Sequence, residues 1–254
     1  ERTDGTARLT LNAPDRRNVL SVEMADQLRE AIADIEDRET QCVVVTGAEG
    51  TFCAGGDIES MLMGVAEDVP VDRRIEEYGL PVNRAVQAVA ECSVPTVAAV
   101  DGAAIGAGGA LAIACDIAVA SERSKIGFGF RRVGLSVDSG TSALLPRAVG
   151  ESTAKELVYT GEVLDAERAG ELGLFNRVVP TEEFDERIEK LVATISNGPT
   201  LALKRSKALL EAGRSRSVAE AVEAETDALE TTLASADHEE GVRAFVEGRD
   251  PEFE

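Results

Sequence analysis

Two glycine-rich turns and one isolated carboxylate are the parts of this chain equipped for chemistry. The first turn is Ala54-Gly55-Gly56-Asp57, within GAEGTFCAGGDIESM. The second runs from Gly102 to Gly109, within DGAAIGAGGALAIACDI. Each follows an apolar run, Cys42 to Thr46 and Val94 to Val100, and each leads into a helix-forming segment. A glycine-rich turn at a helix start leaves backbone N–H groups unpaired in front of the helix dipole. It also lets a ligand come close to the backbone. Such a turn can hold a negative oxygen. The carboxylate is Asp138, between Val137 and Ser139 and beyond the apolar Phe128 and Phe130. It can move a proton.

The residue types alone leave several readings open. Ala54 and Ala107 stand at matching places in the two turns. If the preceding strands are neighbours, their N–H groups can converge on one oxygen. That is an oxyanion hole, in which each donor is worth roughly 10²–10³ in rate. It would suit any reaction through an enolate, such as proton removal beside a thioester carbonyl. The same strand–turn–helix plan also binds phosphate or simply permits close packing. GAAIGAGG does not keep the G-x-G-x-x-G spacing of a dinucleotide site. Asp57 is placed to cap the helix that follows it, and Asp138 reads equally as a cap before SGTSALL. The single histidine, His238, lies in an acidic helical stretch, which argues against a serine hydrolase triad or a zinc site built on histidine. Cys42, Cys53, Cys92 and Cys115 lack metal-ligand spacing and read as buried free thiols of a reducing cytoplasm.

The elements that must position these groups follow from the apolar pattern. Ala7 to Asn12 alternates as a strand, and Ser21 caps a helix running to Ile35. Cys42–Thr46 and Val94–Val100 are continuous apolar runs, the mark of strands covered on both faces. Residues 64–80 carry charges, Pro70 and Gly79 without a clear period, and read as a mobile loop or broken helix. A helix is expected from Pro81 to Glu91, a short strand from Ile117 to Ala120 and an edge or turn segment from Lys125 to Phe128. Helices are expected over 141–149, 152–159 and 165–171, a strand over 174–179, and helices from Thr181 onward. Alternating strands and helices followed by helices alone predict an α/β core, residues 1–180, with a helical C-terminal region, residues 181–254.

The 254 residues suffice for a large core. With 47 acidic against 26 basic residues the net charge is −21. Such a surface repels nucleic acid and anionic membrane. The acids are spread over predicted helices (Glu36–Asp37, Glu182–Glu183, Glu239–Glu240), the distribution expected of a protein kept soluble in concentrated salt. ERTDG at the start is neither basic nor apolar, and no run reaches membrane-spanning length. A cytoplasmic location is therefore expected.

Taken together, the motifs resemble the crotonase (enoyl-CoA hydratase/isomerase) family. They are RNVLS (17–21), FCAGGDI (52–58), VDGAAIGAGGALAIACDIAVAS (100–121), VGLSVDSGTSALLPRAVG (133–150), TGEVLDAERAGELGLFNRVV (160–179) and GVRAFVEGRDPEF (241–253). They span nearly the whole chain in the family's order. The resemblance implies a spiral of ββα units, a helical C-terminal region that builds trimers or hexamers, and an acyl-CoA thioester substrate with no further cofactor. It puts the oxyanion donors at the N–H groups of Ala54 and Ala107. Residues Ala54, Gly55, Gly56 and Asp57 would lie along the pantetheine and acyl part of CoA. Arg16 or Arg17 would lie near its phosphates, with Lys204 and Lys207 as further candidates.

The chain departs from the hydratase pattern at both glutamate positions, which here hold Ala110 and Phe130. Hydration needs one group to activate water and another to handle the α-proton; neither residue can do so. Asp138 remains, in a loop resembling that of the family's enoyl-CoA and epoxyphenylacetyl-CoA isomerases. One carboxylate suffices to shift a 3-enoyl double bond to the 2-position, and an apolar lining from Phe128, Phe130 and Val137 would raise its pKa. The expectation is an enoyl-CoA isomerase. The alternatives are a hydratase with an unusual acid/base set, drawing on Glu76, Glu77 or Tyr78, a non-catalytic acyl-CoA-binding protein, or an enzyme using Asp138 as nucleophile.

Overall fold

The computed structural model describes residues 1–3, 5–36 and 40–253. Asp37, one of the acids assigned to a helix end, lies outside the described residues. In chain order the strands are β1 (Arg2–Thr3), β2 (Thr6–Leu11), β3 (Cys42–Gly47), β4 (Thr96–Val100), β5 (Ala103–Ile105), β6 (Ile117–Ser121), β7 (Lys125–Gly127), β8 (Val163–Asp165) and β9 (Arg177–Val179). The main sheet has the order β1-β2-β3-β4-β6-β9 and is parallel except for the β1–β2 hairpin. The second sheet is β5-β7-β8.

The apolar runs are continuous because the main sheet is covered on both faces. Side chains alternate along a strand. Val43, Val45, Ala98, Val100, Ala118 and Ala120 accordingly join the large core, while Cys42, Val44, Val97, Ala99 and Val119 join a smaller one. The large core is closed by α1 (Val22–Glu36), α4 (Leu80–Ala90) and α5 (Ala107–Ala114). Ala25, Leu28, Ile32 and Ile35 form the buried stripe of α1, and the Ser21 hydroxyl accepts the Met24 N–H at 3.2 Å as its cap.

Between α1 and α4 lie α2 (Ile58–Ala66), α3 (Val71–Arg74) and a π-helical turn, Ile75–Gly79. The segment expected to be a loop or broken helix is thus a series of short helical pieces. After α5 come α6 (Thr141–Val149), α7 (Glu151–Thr160) and α8 (Ala166–Glu171). The C-terminal region holds α9 (Phe184–Ser196), α10 (Thr200–Gly213), α11 (Val218–Leu233) and α12 (Ala236–Glu247). Phe184, Ile188, Leu191 and Val192 of α9 cover the second face of the main sheet.

The short second sheet was not legible in the glycine-rich sequence, yet it positions the site. Isolated bridges extend it, Cys53 to Ala104 and Leu20 to Gly56. Each winding of the chain therefore contributes a strand to the main sheet, a short strand or bridge to the second, and then a helix. β4, β5 and α5 form one such unit.

Candidate active site

The two glycine turns meet because the second sheet stitches them together. Cys53 N–H donates to the Ala103 carbonyl at 2.9 Å, and Ile105 N–H donates to the Cys53 carbonyl at 2.9 Å. Glycine is required at this contact. Gly55 has φ +101°, and a first side-chain carbon there would sit 2.7 Å from the Ile105 oxygen and 3.8 Å from the Ala107 nitrogen. A side chain at Gly108 would reach 2.2 Å from the Cys53 carbonyl oxygen. The first turn thus lies directly against the N-terminus of α5, a helix begun by Ala107.

The backbone donors divide clearly between engaged and open. Ala54 N–H is engaged: it donates to the Arg17 carbonyl at 3.0 Å. That corrects the expectation that Ala54 supplies an oxyanion donor, since a hydrogen already committed within the turn is not aimed at a ligand. Gly56, two residues on, has no backbone acceptor among the described residues, and neither has Ala107 at the first position of α5. The sequence comparison of the two turns paired Ala54 with Ala107 by residue type. By hydrogen-bond availability the open donors of the first turn are Gly55 and Gly56 rather than Ala54, beside the open Ala107. The missed signal was the kink at Arg17–Asn18, both at φ 54°, which turns the Arg17 carbonyl onto the glycine turn. Asn18 is fully buried and fixes that kink. Its amide donates to the Ala48 and Thr51 carbonyls at 2.9 and 2.6 Å and accepts the Ala13 N–H at 2.9 Å.

Asp57 does what its position predicted. It caps α2 by accepting the Glu59 and Ser60 N–H groups at 3.1 and 3.3 Å and the Ser60 hydroxyl at 2.7 Å. It also pairs with Arg16 at 2.5 Å. Burial pushes its carboxyl up, but the Ser60 hydroxyl and the Arg16 guanidinium together hold it below the ordinary value. Arg16 is thereby tied to the first turn, and the next residue, Arg17, is exposed. Lys207 is not open to a ligand. It is buried, paired with Asp116 at 2.7 Å and donating to the Val94 carbonyl at 3.1 Å, which pins α10 to the core. Lys204 is half-buried.

Asp138 differs from every other aspartate described above. Its Oδ1 is buried and has no hydrogen-bond partner. Burial raises its pKa, and the only opposing influence is the Ser139 hydroxyl. The capping alternative fails here. α6 begins at Thr141, its cap residue is Gly140, and no side chain caps it. Only the Asp138 main-chain carbonyl takes part, accepting the Thr141 N–H at 2.9 Å. The next residue, Ser139, is buried at φ +50° and is held by Asn83 of α4. α4 and α6 both pack on α5, the helix whose first turn carries the open Ala107 N–H.

Ala110 and Phe130 are 0% and 8% exposed and belong, with Phe128, to the apolar core on which Val137 packs. Hydrocarbon therefore occupies both positions. Glu77 is paired with Arg73 at 3.3 Å and Glu76 is exposed, so the π-turn presents solvated rather than buried acids.

Repeated strand–strand–helix windings with glycine turns converging on one helix N-terminus define a crotonase-like α/β protein. The comparisons agree: a family model described as enoyl-CoA hydratase/isomerase matches residues 1–254, and the chain belongs to that family. It is 33% identical over 251 residues to a 1,2-epoxyphenylacetyl-CoA isomerase of Escherichia coli, covering 98% of this chain and 95% of the relative. It is also 33% identical over 257 residues to a crotonyl-CoA hydratase of Syntrophomonas wolfei, covering 100% and 96%. A crystal structure of an enoyl-CoA hydratase from Mycobacterium smegmatis superposes with a TM-score of 0.91 at 31% identity, covering 100% of this chain and 96% of that one.

Proposed function

We propose that this protein is an enoyl-CoA isomerase that moves a 3-enoyl double bond to the 2-position. The observation that carries this reading is the half-buried carboxylate of Asp138, whose Oδ1 is buried without a partner, with Ala110 and Phe130 at the positions of the second acid. The thioester oxygen lies between the N–H groups of Gly56 and Ala107. Asp138 removes a proton from the α-carbon; the C–H pair becomes the Cα=C1 bond and the carbonyl pair moves onto the thioester oxygen, giving a dienolate conjugated with the 3-alkene. The two N–H donors stabilise that charge where it develops. The same carboxyl returns the proton at the γ-carbon, so no atom is gained or lost. The pKa raised by burial suits a group that must both take and return a proton near neutrality. The Gly55–Asp57 turn lies along the CoA arm, and Arg17 faces its phosphates. CoA serves as the carrier of the substrate rather than as a separate cofactor.

A hydratase is the second reading, favoured by the names of several relatives. It requires a further group to activate water, and among the described residues no charged side chain acts on Asp138. Incubation in D₂O with 3-hexenoyl-CoA and, separately, with crotonyl-CoA separates the two. The isomerase converts the first to the 2-enoyl ester without gaining water. Hydration of crotonyl-CoA at a comparable rate overturns that conclusion.

The C-terminal helices support self-association. Val218, Phe245 and Val246 are 82%, 89% and 79% exposed on α11 and α12, which is unusual for large apolar side chains on a folded chain that stays alone. A trimer, or a pair of trimers, would cover them. The acidic surface suits work in concentrated salt inside the cell. Among the described residues, no helix is long and apolar enough to cross a membrane.

A further inference from the structure

The geometry of Asn83 bears directly on Asp138. Its Oδ1 accepts two hydrogens from one residue, the Ser139 N–H at 3.0 Å and the Ser139 hydroxyl at 3.1 Å. A backbone N–H can only donate, so the amide oxygen must face the loop. Ser139 is 3% exposed and holds φ +50°, a left-handed conformation that a side chain other than glycine rarely adopts. The bond from α4 keeps it there, and Asp138 is the adjacent residue. The Ser139 hydroxyl has one proton and two acceptors within reach, Asn83 Oδ1 and the neighbouring Asp138 carboxylate.

We infer that Asn83 is a positioning residue for Asp138: it fixes the loop that aims the carboxylate and competes with it for the Ser139 proton. This rests on the reading of Asp138 as the proton carrier. A carboxylate that accepts a hydroxyl is a weaker base, because the bond stabilises its charged form. By competing for that hydroxyl, Asn83 weakens its hold on the Asp138 carboxylate and so favours the state that more readily takes a proton. No charged side chain contributes to the shift at Asp138; burial and the Ser139 hydroxyl are its two causes.

The test compares the unmodified protein with Asn83→Leu, Asn83→Asp and Asp138→Asn on 3-hexenoyl-CoA, with kcat, KM and the pH profile of kcat/KM measured for each. Leucine removes the acceptor at similar size. It is expected to lower kcat by roughly a hundredfold, the cost of a misplaced catalytic group, with KM little changed and the acidic limb moved to lower pH. Aspartate keeps an acceptor for both Ser139 hydrogens and adds a like charge. It is expected to restore most of kcat and to move the acidic limb to higher pH. Should Asn83→Leu fail to fold, Asn83→Asp decides alone: a raised limb supports the inference and an unmoved limb overturns it. Equal losses in both Asn83 variants with an unmoved limb would reduce Asn83 to a structural role. Turnover by Asp138→Asn at the parent rate would instead remove the reading beneath the inference. An inactive Asp138→Asn beside an unaffected Asn83→Leu removes the inference alone.

Discussion

Asp57 and Asp138 look alike in sequence, each an acid just ahead of a helix, and the fold treats them in opposite ways. Burial raises the carboxyl of both. At Asp57 two N–H groups, the Ser60 hydroxyl and Arg16 answer that burial, and the acid is held ionised as a helix cap. At Asp138 one buried oxygen has no partner at all, and the helix it precedes is capped by Gly140 instead. A buried polar atom left unsatisfied costs stability. The contrast teaches that the two carboxylates are held differently: one is tied into the first glycine turn, and the other is left with an unsatisfied oxygen at the expense of stability, as the proposed proton transfer would require.

The largest effect expected from breaking this contrast is on turnover. Asp138→Asn should lower the isomerisation rate by about 10²–10⁴-fold, the usual contribution of a positioned acid/base, while CoA-ester binding persists. A steady-state assay with a parallel binding titration checks it, and retained turnover would end the proposed role. Next comes the oxyanion site. Replacing the backbone amide by an ester at residue 56 or 107 removes one N–H and leaves the side chains alone. The rate should fall by roughly 10²–10³-fold at either position. The same replacement at residue 54 breaks the bond to Arg17 and should lower the melting temperature without that kinetic loss. Equal rate losses at 54 and 56 would return Ala54 to the site.

Two smaller effects concern stability, and their signs are opposite. The folded pKa of Asp138 lies above its unfolded value. The folded state therefore binds the extra proton between the two, and stability falls as pH rises through the folded value. Asp138→Asn should raise the melting temperature at neutral pH, with the gain vanishing below the ordinary carboxylate range. The folded pKa of Asp57 lies below its unfolded value. Its contribution is present above the ordinary range and is lost as pH falls through the folded value. Asp57→Ala should cost about 1 kcal/mol at neutral pH, as for other lost caps. Thermal melts of both variants from acid to neutral pH would show the two curves diverging. Parallel curves would mean that partners and burial do not separate these two acids.

The sequence by itself determined the main sheet, most helices and the candidacy of Asp138. Continuous apolar runs such as Cys42 to Thr46, helical stripes such as Leu28, Ile32 and Ile35, and glycine spacing are local signals, and local signals survive in one dimension. Through the family resemblance it also put Ala110 and Phe130 where a standard hydration would need carboxylates. Only the tertiary structure decided which N–H groups are open. Ala54 and Gly56 belong to one turn and differ only in whether a carbonyl from Arg17, far along the chain, reaches them. It likewise decided that Asp57 is partnered and Asp138 is not, and that Asn83 and Ser139 meet across two elements. Hydrogen-bond satisfaction depends on which groups converge in space, and residue types alone do not carry that information.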